Sequence, residues 1–215
     1  MTREELIKKV ALKMDEISSS DDVILSVGTS DNNPLYVQIN DLLNESVNDV
    51  LMKAPVYRIQ SHIVSTNNVK VKEVFNGKRK VAEITVPDEF IKFVSVTDKL
   101  FQRDIADIAM QGDDIHKRQQ NKFLIAKYAK PVAVLTNTAG VRKIVCYSYD
   151  INDTPKPMLF YVERYTGDES KSSDVTLDAY MVDVVTWVCA GKVFSTQGDV
   201  TKSKMCDEIA QSLMI

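Results

Sequence analysis

The hydrophobic period of the chain changes twice, from helical to alternating and back, and that limits the fold more than any other feature. At the start, Leu6, Ile7, Val10, Ala11, Met14 and Ile17 recur at the spacing of one helix face. Thr2 with Glu5 forms a capping-box pattern ahead of them. Ser18 to Asp22 predicts the end of this helix, and Val23 to Val27 reads as a strand or an ordered loop. Asn33 as cap and Pro34 at the first helical position then open a second helix. Its stripe runs through Ile39, Leu42, Leu43, Val47, Val50, Leu51 and Ala54 and stops at Pro55.

In the middle the period falls to two. Val69, Val71 and Val74 or Phe75 lead into Asn76-Gly77, and Ala82, Ile84 and Val86 alternate on the way back to Pro87, which predicts a β-hairpin with a basic, exposed tip from Asn76 to Lys80. Phe90 to Val96 predicts a further extended segment. Val132 to Leu135 and Val141 to Tyr149 flank Thr136 to Gly140 as a second hairpin, and Met158 to Val162 supplies another strand. The polar stretch from Gln102 to Tyr128 interrupts this mainly antiparallel region and is expected to be partly helical, a docking arm or loop.

The helical period returns after Asp174, with Leu177, Tyr180, Met181, Val184, Val185 and Val188 on one stripe. A turn at Thr196 to Asp199 leads to Met205, Cys206, Ile209, Ala210 and Leu213, so an antiparallel helix pair is expected. The predicted class is α+β: helices from both termini form a small antiparallel bundle that carries an inserted antiparallel β lobe. The boundaries are an N-terminal helical part over 1–57, the β-rich lobe over 58–165 and a C-terminal helical hairpin over 166–215.

A chain of 215 residues buries a real core. The charged first residues, and the lack of any apolar run near the roughly 18 residues a membrane span needs, predict a soluble chain without an export signal. Cys146, Cys189 and Cys206 lie far apart with no CxxC pair, which predicts buried free thiols in a reducing compartment.

Net charge is −3, so binding of nucleic acid through a broad field of cations is disfavoured as the main role. The charge is unevenly spread. Five bases (Lys70, Lys72, Lys78, Arg79, Lys80) stand against Glu73 alone between positions 70 and 80, whereas Asp150 to Asp183 holds eight acids against Lys156, Arg164 and Lys171. A heterologous subunit contact joining the two stretches is one reading of that asymmetry.

Signs of catalysis are sparse. No GxGxxG, GxxxxGK[ST], GxSxG or HExxH motif is present, and His62 and His116 stand alone. The acid pairs Asp21-Asp22, Asp88-Glu89, Asp113-Asp114 and Asp168-Glu169 read as solvated turns and caps, since adjacent side chains point apart. No catalytic residue, metal or cofactor is therefore expected. The candidate contact residues, toward a subunit or toward DNA phosphate, are Lys70, Lys72, Lys78, Arg79 and Lys80, with Lys117 and Arg118 as a second basic surface. Trp187, within the last apolar stripe, is assigned to core or interface packing. A metal-dependent nuclease or other hydrolase, which would bring carboxylates together in a pocket, and a small nucleic-acid-binding module are the alternatives.

The segment Val86-Pro87-Asp88-Glu89-Phe90-Ile91-Lys92-Phe93, followed by Lys130-Pro131-Val132-Ala133-Val134 and Ile144-Val145-Cys146-Tyr147, resembles the head-to-tail connector proteins of tailed bacteriophages. These include the tail tubular protein A type of podoviruses and the ring proteins of crAss-like phages. In them a proline–acid–acid–aromatic segment ends one strand and a lysine–proline–apolar segment starts another. The terminal helices are likewise similar to that group's helical framework. The resemblance implies a virion structural protein forming a ring, commonly dodecameric, at the head–tail junction, made in the host cytoplasm. It further implies as partners other copies of the chain, the portal protein and neighbouring tail or ring proteins, with genomic double-stranded DNA passing through the channel without sequence recognition and no membrane involved.

Overall fold

The computed structural model describes residues 1–17, 34–167 and 175–214, so the expectations for Ser18 to Asn33 and for Asp168 to Asp174 lie outside the described residues. In chain order the elements are α1 (Arg3–Ile17), α2 (Pro34–Lys53), β1 (Ile63–Thr66), β2 (Val69–Val74), β3 (Arg79–Thr85), β4 (Phe90–Thr97), β5 (Ile108–Met110), α3 (Asp114–Gln119), β6 (Ala133–Thr138), β7 (Val141–Asp150), β8 (Met158–Glu163), α4 (Ala179–Thr196) and α5 (Val200–Met214). The fold is α+β, with terminal helices and a largely antiparallel β region between them. It divides into two compact units, Met1–Ser61 with Arg164–Ile215, and His62–Glu163.

In the helical unit, Thr2 and Glu5 form the reciprocal capping box: the Thr2 amide donates to Glu5 Oε2 at 2.9 Å and the Glu5 amide to Thr2 Oγ1 at 3.2 Å. α4 is the central element and packs on α1, α2 and α5. Every residue from Val184 to Gly191 is buried, so this helix is apolar all round where a single stripe was expected. It starts at Ala179, with Asp178 at its cap position, and so leaves Leu177 outside. Gly191 sits at the crossing with α5; a Cβ there would lie 3.1 Å from Cys206 Cβ. Lys192 reaches back from α4 to Glu45 Oε1 and Asp49 Oδ2 of α2, both at 2.7 Å.

Arg3, one of the charged first residues, is fully buried. Its guanidinium donates to Asn40 Oδ1 at 2.6 Å, Asn44 Oδ1 at 2.7 Å and the Asn40 carbonyl at 2.7 Å. Asn40, Asn44 and Asn48 follow one another at four-residue spacing, a polar ladder along α2. Above Arg3 the ladder secures the chain leaving the β unit. Asn44 Nδ2 donates to the Gly167 carbonyl at 3.1 Å, and Asn48 exchanges two bonds with the Tyr165 backbone, at 3.0 and 2.8 Å.

The second unit holds two sheets, ordered β1-β8-β4 and β2-β3-β7-β6-β5. Their apolar residues share one core that includes Ala82, Ile84, Val96, Ile144, Tyr149 and Leu159. Three features differ from the sequence expectation. Ile63–Thr66 is a strand whose partner, β8, lies about a hundred residues on, and β5 pairs parallel to β6 within an otherwise antiparallel sheet. The second hairpin is also tighter: β6 continues to Thr138, and only Ala139 (φ 52°) and Gly140 (φ 81°) turn the chain, two positive φ values as a type I′ turn requires.

Candidate contact surface

The three cysteines, His116, Asp113 and Asp114 are engaged structurally. Cys146, Cys189 and Cys206 are buried free thiols; burial pushes Cys189 up to about 12 and Cys206 up to about 11, and raises Cys146 as well. His116 accepts the Gly112 amide on Nδ1 at 3.0 Å. Asp113 Oδ2 accepts the Met110 amide at 2.8 Å, and Asp114 pairs with Lys117 at 3.4 Å. Among the described residues, no three or more of His, Cys, Asp and Glu come together as a metal site would require.

The basic residues of the first hairpin do not form one exposed tip. Lys70 and Lys72 are on β2, Lys78 is in the turn that follows Phe75, Asn76 and Gly77, all three at positive φ, and Arg79 and Lys80 open β3. Arg79 and Lys80 are half-buried, because Asp150, the first of the acids predicted to attract them, ends the adjoining strand β7 of the same chain. Arg79 pairs with Asp150, and Lys80 Nζ donates to the Asp153 carbonyl at 2.9 Å. Tyr128 Oη donates within the same knot, 3.0 Å from Asp150 Oδ2 and 2.6 Å from Asp153 Oδ2, and burial together with these two carboxylates raises its pKa.

Lys72 is likewise committed, 2.6 Å from Glu83 Oε1, while Lys143 takes Glu83 Oε2 at 3.1 Å. Burial pushes the Glu83 carboxyl up, but the two ammonium groups outweigh it and hold it below the usual carboxylate range. Of the five predicted hairpin cations, the structure leaves Lys70 and Lys78 exposed and without an ion-pair partner among the described residues.

The other predicted pair, Lys117 and Arg118, lies on α3, within the stretch expected to be a docking arm or loop. In the loop that follows, Phe123 is 81% exposed and Leu124 58%, with Ile115 on α3 at 48%. Arg118, Lys122, Lys127 and Lys130 are exposed around them and have no carboxylate partner among the described residues. Lys122 Nζ lies 4.7 Å from the Phe123 ring centroid.

This loop is held in place by its own buried residues. Gln119 is 4% exposed; its Nε2 donates to the Ile115 carbonyl at 3.2 Å, and its Oε1 accepts the Ala126 amide at 2.8 Å. Asn121 accepts the Phe123 amide on Oδ1 at 2.9 Å, an Asx turn, and Ile125 anchors the far side in the core. Tyr128 ties the end of the loop to the Arg79–Asp150 knot. Gln102 to Tyr128 is thus a run of strand, short helix and anchored turn, and its most exposed apolar residues are Phe123 and Leu124, with Met110 of β5 at 52%.

Elsewhere in this unit a groove of about 570 Å³ lies along β4 and β5; Phe90, Phe93, Ile108 and Leu135 line it together with Lys92, Asp107 and Arg142. Among the described residues no helix is long and apolar enough to cross a membrane. The sequence matches no protein-family model and no curated protein.

Proposed function

We propose that the chain is a structural, non-enzymatic subunit that forms a ring in the head-to-tail connector of a tailed bacteriophage, joined to the portal and extending the DNA channel. The observation that carries this reading is the anchored loop that holds Phe123 and Leu124 in solvent amid four cations without a carboxylate partner among the described residues. Fully burying one such side chain is worth roughly 1.5–3 kcal/mol, and an ordered loop that instead presents two of them to water is a surface built for assembly. The segments that carry the resemblance support the same reading. Pro87-Asp88-Glu89 follows β3 at the turn into β4, and Lys130-Pro131 precedes β6.

The subunit contact belongs to the loop more than to the first hairpin, since Arg79, Lys80 and Lys72 already have partners within the chain. A net charge of −3 suits a channel through which a duplex must slide, because it neutralises few phosphates. Gradient sedimentation of the chain mixed with portal rings of the same phage tests the reading. Comigration that saturates at a fixed ratio of chain to portal subunit is expected; a chain that stays at the top of the gradient at every ratio overturns it.

A further inference from the structure

We infer that the run Asp21-Asp22-Val23-Ile24-Leu25-Ser26-Val27 of one copy adds as an extended strand to the open edge of β4 in the next copy, laying apolar side chains in the groove between β4 and β5. The inference rests on the ring reading and gives it a second point of contact besides the Phe123–Leu124 loop. The groove lies wholly within the β unit, where β4 and β5 each end their sheet. Val96 of β4 and Ile105 exchange two backbone bonds of 2.9 Å and hold the two sheets together at one point. Beyond that pair, among the described residues, no strand runs along the outer edge of β4 from Phe90 to Ser95. β5 is closed differently, since its Met110 amide donates to Asp113 Oδ2 at 2.8 Å. Solvent reaches the apolar lining: Phe93, Ile108 and Leu135 are half-buried and Met110 is 52% exposed.

An open strand edge presents a row of backbone N–H and C=O groups that only another extended backbone matches along its length, so a strand fits this place better than a helix. Two runs of this chain lie outside the described residues. Residues 168–174 hold no apolar side chain, whereas residues 18–33 hold Val23, Ile24, Leu25 and Val27 directly after two acids. Extended, Asp21, Val23, Leu25 and Val27 share one face, which gives three apolar side chains and a carboxylate to one groove. Phe90 to Ser95 spans about 20 Å at roughly 3.3 Å per residue, the length that Asp22 to Val27 covers. Charge agrees with this occupant. Arg142 is exposed at the groove, 5.8 Å from the Phe90 ring centroid, and has no carboxylate partner among the described residues. With Lys92 it outweighs Asp107, so the lining is net positive where the segment brings two carboxylates. Each copy carries the segment in its helical unit and the groove in its β unit, the heterologous arrangement a closed ring requires.

Sedimentation velocity and amide hydrogen exchange of the full chain over a range of concentrations test this. Val23→Asp/Leu25→Asp is the segment variant and Arg142→Glu, at an exposed side chain, the groove variant; unchanged thermal melting of each confirms that it folds. Loss of the apolar anchors is expected to weaken self-association by roughly 30-fold or more, and to abolish the concentration-dependent protection of the β4 amides from Ile91 to Ser95. Arg142→Glu is expected to weaken association less, and its combination with Asp21→Lys/Asp22→Lys to recover part of that loss. A segment variant that assembles as the wild type does, with β4 exchange unchanged, overturns the contact while leaving the ring reading intact. Protection of β4 that depends on the segment but not on concentration also overturns it, since the segment then docks within its own chain. A wild-type chain that is monomeric at every concentration, alone and with portal rings, overturns both.

Discussion

Replacing Arg3 by Met keeps most of the side-chain volume and removes three hydrogen bonds at one stroke. In the native structure the guanidinium is fully buried and donates to Asn40 Oδ1, Asn44 Oδ1 and the Asn40 carbonyl at 2.6–2.7 Å. Two effects oppose each other. Removing the cation relieves the cost of burying a charge whose partners are all neutral, and swapping a whole buried polar set for apolar residues is often neutral or stabilising. Here, however, only the donor is removed. Three oxygens lose it, each at a cost of about 1–3 kcal/mol when buried, and less where water reaches the half-buried asparagines. A net loss of about 2–3 kcal/mol is expected.

Trp187, the chain's one tryptophan, lies in α4 of the same unit, so its fluorescence during urea unfolding reports on this unit directly. With an m-value of roughly 1–2 kcal/mol/M, the midpoint should fall by about 1–3 M in Arg3→Met. A change below about 0.5 kcal/mol, or a stabilised variant, would falsify the claim that Arg3 organises the asparagine ladder.

Three further outcomes are expected. Tyr128→Phe removes both bonds to Asp150 and Asp153 and should cost about 1–2 kcal/mol locally, seen as faster amide hydrogen exchange over residues 121–130 with β7 unaffected. Glu83 has a lowered folded pKa, so its contribution to stability is fully present above the unfolded value of about 4.3 and is lost as pH falls through the folded value. An NMR titration of the carboxyl should therefore give a lower midpoint in the wild type than in Lys143→Met, and equal midpoints would contradict the shared ion pair. The buried thiols, with Cys189 and Cys206 pushed up to about 12 and 11, should resist a thiol reagent at pH 8 until the chain unfolds; rapid labelling of the native protein would show that burial is incomplete.

Local signals in the sequence were enough for elements built from near neighbours. The stripe from Leu6 to Met14, Pro34 at the head of α2, and the two hairpins each depend on residues a few positions apart, where period and turn chemistry decide. What escaped depends on distant partners. β1 is a short strand whose pairing with β8 no local pattern encodes, and the parallel β5–β6 pair needs a crossover that the polar stretch does not announce. The burial of Arg3 likewise depends on asparagine partners about forty residues on, which no local pattern encodes.

The candidate site was legible in kind and misplaced in detail. The run from Lys70 to Lys80 is conspicuous as a string, but antiparallel pairing of β3 with β7 brings Asp150 against Arg79 within the same chain. The Phe123-Leu124 pair was available as a signal, two large apolar residues directly after Gln119-Gln120-Asn121-Lys122, yet apolar residues in a sequence are by default assigned to a core. Only the burial of Gln119 and Ile125 on either side shows that the loop is fixed with that pair facing out.

The most direct test of the ring reading is negative-stain electron microscopy of the purified chain, alone and mixed with portal rings from the same phage. Annuli of the chain, or an added annular layer on the portal, are the predicted result and would give the symmetry of the ring. Dispersed particles in both samples would contradict the account.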